Sequence, residues 1–170
     1  MAVRELFTDR RGGVSAPPLE ELNLAAHVGD DPDAVRANRA LVASAVEVPP
    51  DRLVVLAAGS GGPVGVVDAD SPGEVSGVEA IVTRTPDLAI GVVAAETRAV
   101  APAAGSTTSW GTTALDLPRA VRAQLDECGV EHANVFSDGR CTREDPTLYS
   151  YRRDGRTGRQ ASVIVRSDDG

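Results

Sequence analysis

The segment that most constrains the fold of this chain is an apolar run, Leu88-Ala89-Ile90-Gly91-Val92-Val93-Ala94. A strand with one face in water alternates apolar and polar residues, so a run without polar residues is typical of a strand covered on both faces. The sequence therefore predicts a central strand at 88–94. Because aromatic residues make up only 3% of the chain, the core around this strand must be built from Val, Leu, Ile and Ala.

Other short runs, rich in β-branched residues, predict the remaining strands of a sheet. They lie at 3–7, 53–56, 64–67, 78–83 and 162–165. Between 96 and 113 the chain consists mainly of Ala, Pro, Gly, Ser and Thr without periodicity, which predicts a loop or linker. Strands joined by helices and loops in this order favour an α+β fold with a mixed sheet.

Two helices are predicted from their ends. Asp31 can cap a helix over 32–46, and Pro32 suits its first position. A second helix is predicted at 118–128, with Cys128 on its apolar stripe and Gly129 placed to end it. We expect both helices to cover the sheet within a single domain of residues 1–170.

Charge and length exclude several classes of function. A net charge of −8 over 170 residues argues against nonspecific binding to nucleic acid or to an anionic membrane, because both depend on a basic surface. The N-terminus shows no apolar run behind a basic start, so a cytoplasmic location is expected. The two cysteines, Cys128 and Cys141, are too few for a disulfide framework and are predicted to be free, buried thiols.

Small motifs with catalytic chemistry are weak in this chain. The glycine-rich segment 59–62 lacks the lysine of a phosphate-binding loop and is followed by Pro63, so a plain loop is favoured. His27 stands just before a helix cap, where a structural hydrogen bond is favoured over a role as base or ligand. Cys128, His132 and Cys141 do not match a common zinc spacing.

A cluster of arginines is the candidate binding site that the residues themselves suggest, because guanidinium groups suit phosphate or carboxylate. The candidate anion-binding residues are Arg10, Arg11, Arg152, Arg153 and Arg159. Arg10 and Arg11 can join the others only if the two ends of the chain meet. The favoured alternative is a set of ion pairs with Asp145, Asp154 and other acids of this acidic chain.

Three groups of phrases, in order along the chain, resemble the laccase-domain (YfiH-like) family, also called multicopper polyphenol oxidoreductase. The first comprises Phe7-Thr8-Asp9-Arg10-Arg11-Gly12-Gly13-Val14-Ser15, Leu22-Asn23-Leu24, His27-Val28-Gly29-Asp30-Asp31-Pro32 and Asn38-Arg39. The second is Leu115-Asp116-Leu117-Pro118 with Gln124-Leu125 and Gly129-Val130. The third is Cys141-Thr142, Tyr149-Ser150-Tyr151-Arg152-Arg153-Asp154-Gly155 and Thr157-Gly158-Arg159. The resemblance implies an α/β sandwich, a zinc cofactor and purine nucleoside phosphorylase activity.

The zinc ligands that the resemblance implies are absent. The family's Gln-Val-His-Gly motif falls on Ala58-Gly59-Ser60-Gly61, so Ser60 replaces its histidine. Its Ala-Asp-Cys motif falls on Ala95-Glu96-Thr97, so Thr97 replaces its thiolate. Nothing between Val100 and Leu115 matches the third motif, His-Ala-Gly-Trp-Arg-Gly, and the central block of the family is missing.

These replacements decide what chemistry to expect. Catalytic zinc normally takes three protein donors and keeps one position open, and neutral hydroxyl groups are poor substitutes for imidazole or thiolate. We therefore expect no metal, no cofactor and no catalytic residue at the family position. Loss of the central block also exposes surface that must be covered again or shared with a partner.

The sequence leaves three functions open. The first is a catalytically silent, shortened relative of the family that is retained for binding or regulation. The second is an active phosphorylase that cleaves adenosine or inosine in a rearranged site. The third is a metal-free binder of a small anion or nucleotide. Candidate partners are thus a small anion, a purine nucleoside, a second copy of the chain or another protein, with no nucleic acid and no membrane.

Overall fold

Residues 2–57, 62–94, 105–107, 111, 113–135 and 138–168 are described by a computed structural model. Contacts within it divide the chain into two units, one formed by Met1–Ala95 with Thr142–Gly170 and the other by Glu96–Cys141. The prediction of one domain over the whole chain stays a prediction.

The described residues form nine strands and three α-helices. The strands are β1 (Ala2–Phe7), β2 (Leu53–Ala57), β3 (Val64–Val66), β4 (Glu74–Val75), β5 (Ala80–Val82), β6 (Ala89–Ala94), β7 (Gly105–Thr107), β8 (Thr113–Leu115) and β9 (Gln160–Ser167). The helices are α1 (Pro32–Ala45), α2 (Leu117–Glu127) and α3 (Tyr151–Asp154). Short 3-10 turns occur at Ala26–Val28, Pro50–Arg52 and His132–Asn134.

Five strands of the first unit form one mixed sheet in the order β1-β9-β6-β2-β4. Strand β6 pairs with β2 in parallel and with β9 in antiparallel orientation, and β9 pairs with β1 in antiparallel orientation. The predicted central position of the run 88–94 is confirmed, since β6 is the middle strand. The first and last strands of the unit are neighbours, so the two ends of the chain meet.

Helix α1 covers one face of this sheet. The side chain of Asp31 accepts a hydrogen bond from the backbone N–H of Asp33 at 2.9 Å, which confirms the predicted cap. The buried side of α1 packs with alternate residues of β2, β6 and β9 in the main core, among them Val42, Val55 and Val163. The core is aliphatic, as the shortage of aromatic residues predicts.

The opposite face of the sheet is covered only in part. Strands β3 and β5 pair in parallel as a separate two-stranded layer, and Ile81 of β5 packs against Val54 and Leu56 of β2. On β6, Ile90 contacts this second core, whereas Val92 is 39% exposed. The prediction that the run 88–94 is covered on both faces therefore holds for only part of its length, because the short β3–β5 layer covers the β2 side of this face.

The second unit contains a hairpin and a helix. Strands β7 and β8 pair in antiparallel orientation, so residues 105–107 form a strand inside the segment 96–113, where the sequence predicts a loop. Helix α2 begins after Asp116, whose side chain accepts from the N–H of Arg119 at 3.0 Å. The helix ends at Glu127, and Gly129 terminates it as predicted, with a φ of +78° and an N–H that donates to the carbonyl of Asp126.

The cysteines are free, as predicted, but the expectation that they are buried is wrong. Cys128 and Cys141 are both exposed. Cys128 occupies the C-cap of α2, where the side chain lies beyond the last helical turn, and Val121 on the same predicted stripe is 47% exposed. Among the described residues, no helix is long and apolar enough to cross a membrane.

Truncation of a buried side chain in β9 should test the assigned faces of the sheet. Val163 is buried in the main core, whereas its neighbour Ile164 is exposed on the other face. We expect Val163→Ala to lower the free energy of unfolding by about 2 kcal/mol through lost burial and a residual cavity. The matched variant Ile164→Ala should cost less than about 1 kcal/mol in the same denaturant titration. Equal losses would contradict the assigned faces.

Candidate functional site

The loops that flank β1 and β9 bring the two ends of the chain together. The hydroxyl of Thr8 accepts from the N–H of Ala161 at 2.9 Å, and the N–H of Thr8 donates to the carbonyl of Ala161 at 2.9 Å. The N–H of Arg10 donates to the carbonyl of Thr147 at 2.9 Å. The condition for a joint arginine cluster, that the ends meet, is therefore fulfilled.

Arg10 lies at the centre of this junction. Its guanidinium carbon is 5.1 Å from the centre of the Tyr149 ring, a cation–π contact. Its Nη1 is 3.5 Å from Oδ2 of Asp154, and its Nη2 is 3.9 Å from Oε1 of Glu20. Arg10 is thus held by an aromatic ring and by two carboxylates, that of Glu20 in a loop and that of Asp154 at the end of α3.

Arg153 makes more hydrogen bonds than Arg10 does. Its Nε and Nη2 both donate to the carboxylate of Asp154 at 2.8 Å, a bidentate pair. Its Nη1 donates to the carbonyls of Thr142 and Asp145 at 2.8 and 2.9 Å, and Nη2 also donates to the carbonyl of Leu148 at 2.6 Å. The hydrogen bond from Arg153 is the main reason that the pKa of Asp154 lies below its usual range. Arg153 therefore closes the loop before α3.

The other candidate arginines also have local partners. Arg11 pairs with Asp9 at 2.7 Å, and Nη1 of Arg159 donates to the carbonyls of Thr157 and Gly158 at 2.9 and 3.0 Å. Arg152 is exposed on α3. The structure brings Arg10 and Arg153 together on Asp154, whereas Arg11 and Arg159 have these local partners. These contacts favour the ion-paired alternative, and the anion site stays a prediction.

A polar cluster, formed by the buried Ser15, Asn23 and Asn38 together with the half-buried Asp30, lies beneath this junction. Asn38 of α1 is fully buried, and its Nδ2 donates to Oγ of Ser15 at 2.9 Å and to the carbonyl of Asn23 at 2.9 Å. Its Oδ1 accepts from the N–H of Val14 at 2.9 Å. One amide side chain thereby fixes the loop that follows β1 against α1.

The cluster continues through Asp30 and Asn23 to the last strand. Oδ2 of Asp30 accepts from the hydroxyl of Ser15 at 2.6 Å and from Nδ2 of Asn23 at 2.8 Å. Oδ1 of Asn23 accepts from the N–H of Arg159 at 3.0 Å, directly before β9. These four residues belong to the phrases that carry the family resemblance, and the structure gives each a role in holding loops together. From the sequence, Asp30 is expected to be helix-end or surface charge, and the contacts of the cluster are not predictable, because they become evident only once the neighbours of each buried polar group are known.

Two glycines allow this close approach. A Cβ atom at Gly13 would lie 2.3 Å from the carbonyl oxygen of Glu21 and 2.6 Å from Oδ1 of Asn38. At Gly158 it would lie 2.7 Å from Cζ of Tyr149. Both positions need glycine because any side chain would push the loops out of the cluster.

Tyr149 anchors the C-terminal loop from within the core. It is fully buried, and its hydroxyl donates to the carbonyl of Leu19 at 2.9 Å. Burial raises the pKa of the phenol well above its usual value, with smaller contributions from nearby carboxylates and an opposing one from Arg10. The phenol therefore remains a hydrogen-bond donor at any physiological pH.

A shallow groove of about 280 Å³ lies between the end of β1 and α1. Its lining is mainly aliphatic and includes Leu6, Leu22 and Leu41. Thr8 and Asp9 supply the polar side chains of this lining, which contains no basic residue. The groove therefore does not suit a phosphate group.

Within the described ranges, the side chains do not assemble the donors of a catalytic zinc ion, and the expected lack of a metal stays a prediction. Ser60 and Thr97 lie outside the described residues. The whole sequence has two histidines and two cysteines, and within the described ranges no three His, Cys, Asp or Glu side chains are grouped so that they could hold a metal. His27 is exposed in the turn Ala26–Val28, and exposed His132 lies 4.0 Å from Asp126. A structural hydrogen bond of His27 stays a prediction.

Comparison with known proteins agrees with the motifs. The family model described as multi-copper polyphenol oxidoreductase laccase matches residues 4–101 and 93–167. A purine nucleoside phosphorylase of Streptomyces coelicolor is 37% identical over 229 aligned residues, which cover 93% of this chain and 93% of the relative. One of Mycobacterium tuberculosis is 32% identical over 230 residues, covering 95% and 91%.

The fold is shared with solved structures. YlmD from Geobacillus stearothermophilus matches with a TM-score of 0.82 at 22% identity, covering 98% of this chain and 92% of that chain. A Neisseria meningitidis protein matches with a TM-score of 0.78 at 26% identity, covering 98% and 95%. The predicted α+β fold with a mixed sheet is confirmed.

Removal of Asn38 should show how much the buried cluster stabilises the fold. Asn38→Ala leaves several buried polar groups without partners, so we expect the free energy of unfolding to fall by about 3 kcal/mol. Asn38→Asp keeps the shape but places a carboxylate beside carbonyl oxygens, and it should destabilise at least as much. The exposed control Arg36→Ala on the same helix should cost less than about 0.5 kcal/mol in the same chemical denaturation. A mild effect of both Asn38 variants would contradict the role of the cluster.

Alkaline titration should reveal the raised pKa of Tyr149. Below about pH 10 the phenol is protonated in both the folded and the unfolded state, so its contribution is constant. Above that pH the unfolded chain loses the proton while the folded chain keeps it, and the free energy of unfolding should fall. Because all 17 basic residues are arginine, no lysine titrates in this range. Tyr149→Phe should show a shallower decline between about pH 10 and 12, and an identical decline would contradict the assignment.

Proposed function

The chain belongs to the multi-copper polyphenol oxidoreductase laccase family, and from that membership we propose that it is a shortened, catalytically silent relative. In this proposal the retained scaffold serves binding or regulation. Its curated relatives are named purine nucleoside phosphorylases, so cleavage of a purine nucleoside by phosphate is the activity from which it would have diverged.

The observation that carries the proposal is the shortage of metal donors. The family motifs place Ser60 and Thr97 where imidazole and thiolate ligands stand, and neither hydroxyl is an adequate zinc ligand at neutral pH. His27 lies in the unit of the sheet, whereas His132, Cys128 and Cys141 lie in the segment from 96 to 141. A second copy of the same sequence would add no new type of donor at the family position.

The lengths of the alignments support an internal loss. The Streptomyces coelicolor relative aligns over 229 residues, although this chain has 170 residues in all, so dozens of aligned positions have no residue here. Because the alignment covers 93% of both proteins, these positions are mostly internal. The two matches of the family model overlap at residues 93–101, a range that includes Thr97. The segment rich in Ala, Ser and Thr, residues 96–113, begins within this overlap.

The retained motifs are consistent with a chain that keeps the fold of its family without the reaction. Ser15, Asn23, Asp30 and Asn38 bind one another and the backbone of neighbouring loops. Their presence is explained by folding alone. Retained family motifs in this chain therefore do not require a retained reaction.

Metal analysis beside a nucleoside cleavage assay tests the proposal. We expect the purified protein to contain substoichiometric zinc and to release no base from adenosine or inosine with phosphate. The Streptomyces coelicolor relative, assayed in parallel, is the positive control. One zinc per chain together with phosphate-dependent base release would instead establish the alternative, an active phosphorylase with a rearranged site.

Restoring two ligands provides a sharper version of the same test. The double variant Ser60→His with Thr97→Cys supplies one imidazole and one thiolate but not the third donor. Because a catalytic site normally needs three protein ligands, we expect weak zinc binding and no nucleoside cleavage. Should the wild-type protein prove active, Ser60→Ala and Thr97→Ala would show whether these positions take part in turnover.

A further inference from the structure

Within the described residues of the first unit, the sheet face opposite α1 is exposed along three neighbouring strands. Side chains alternate along a strand, so the residues of β1, β6 and β9 that do not face α1 share the other face. We name this surface the open face. Its principal residues are Val3, Glu5, Phe7, Val92, Ile164 and Arg166.

The open face is apolar and exposed at its centre. Val3 is 59% exposed, Ile164 47%, and Phe7 and Val92 39% each. On the opposite face of β9, which packs against α1, Val163 and Val165 are each only 1% exposed. Contiguous apolar surface of this kind marks a site of interaction more often than does a single exposed side chain.

The register of the strands gives this surface a regular pattern. Val3 lies opposite Arg166, Glu5 lies opposite Ile164, and Phe7 lies opposite Ser162. Ser162 in turn lies opposite Val92 on β6. Val3, Ile164 and Val92 therefore form an apolar diagonal across three strands. Glu5 lies on one side of the diagonal, and Arg166 lies on the other.

This arrangement is complementary to itself. A two-fold axis along the diagonal would stack Ile164 on the partner's Ile164 and place Glu5 next to the partner's Arg166, twice in one interface. Arg166 already contacts Asp168 at 3.8 Å and the carbonyl of Arg84 at 3.1 Å, yet its side chain remains 43% exposed. A carboxylate of a second copy can therefore approach it.

Pairing through the free edge of β1 is less favourable. In such a pair, two β1 strands would run antiparallel, with the α1 side of both sheets facing the same way. Of the two registers with the greatest overlap, one sets Glu5 opposite the partner's Glu5, and the other sets Arg4 opposite the partner's Arg4. Like charges directly opposite each other destabilise a strand pair. Charged residues on an edge strand commonly prevent such association. Self-association of this sheet is therefore expected through its face.

We propose that the open face binds the open face of a second copy and forms a two-fold symmetric dimer. Strands lie about 4.8 Å apart, so a surface three strands wide falls below the usual size of a stable interface. The dimer is consequently weak and depends on protein concentration. This inference does not rest on the proposed function, because the open face contains neither family ligand position.

Sedimentation velocity from about 1 µM to about 1 mM covers the range of a weak dissociation constant. We expect the wild-type protein to shift from monomer to dimer across this range and Ile164→Arg to remain a monomer. Val66→Arg is the matched control, because Val66 is 80% exposed on β3 outside the open face, and it should dimerise like the wild type. Thermal unfolding of each variant at low concentration checks that the fold is intact.

Charge exchange tests the geometry of the interface. Glu5→Arg or Arg166→Glu alone should weaken the dimer about tenfold, since each places like charges together. The double variant should recover most of the loss because it restores opposite charges in exchanged positions. A monomer at every concentration, a dimer that Ile164→Arg leaves unchanged, or a double variant no better than the single ones would overturn the proposal. Binding of a different protein to the open face, with the chain itself monomeric, would also overturn it.

Discussion

Satisfying the buried polar groups between α1 and the chain ends is the constraint on which this fold depends. Asn38 enters the core from α1 and binds Ser15 together with the backbone of the loop after β1. Asn23 accepts a hydrogen bond from the backbone N–H of Arg159, directly before β9, and so links the cluster to the last strand. Leaving a buried amide without a hydrogen bond costs more free energy than a typical hydrogen bond contributes to stability. All of these groups must therefore find their partners in the same arrangement. The loops, the helix and the last strand are therefore fixed as one arrangement.

Local signals made most of the elements predictable. β-Branched runs located β1, β2, β3, β5, β6 and β9, and the Asp31-Pro32 pair located the start of α1. Strand β4 was missed because Glu74-Val75 is too short to form a pattern. Strands β7 and β8 were missed because each has only three residues, which become a strand only through pairing with the other.

The candidate site was less predictable because it depends on contacts between distant segments. An arginine cluster was visible in the sequence, but the sequence could not decide between an external anion and Asp154 as the partner of Arg153. The structure shows the bidentate pair with Asp154. Likewise, Asn23 and Asn38 were recognised only as parts of motifs, since the hydrogen-bond partners of the Asn38 side chain are 15 or more residues away and Asn23 also binds the distant backbone of Arg159. The motifs that identify the family thus include residues whose observed contacts serve the fold.

The position of β9 between β1 and β6 has a consequence for synthesis. A ribosome releases β1 and β6 long before Gln160–Ser167 leaves its exit tunnel, and neither early strand can complete its pairing until then. The nascent polypeptide must meanwhile carry Val-rich segments with unused backbone donors and acceptors, a state that favours chaperone binding or aggregation. Truncation near the C-terminus would remove an interior strand of the sheet and so prevent assembly of the whole first unit.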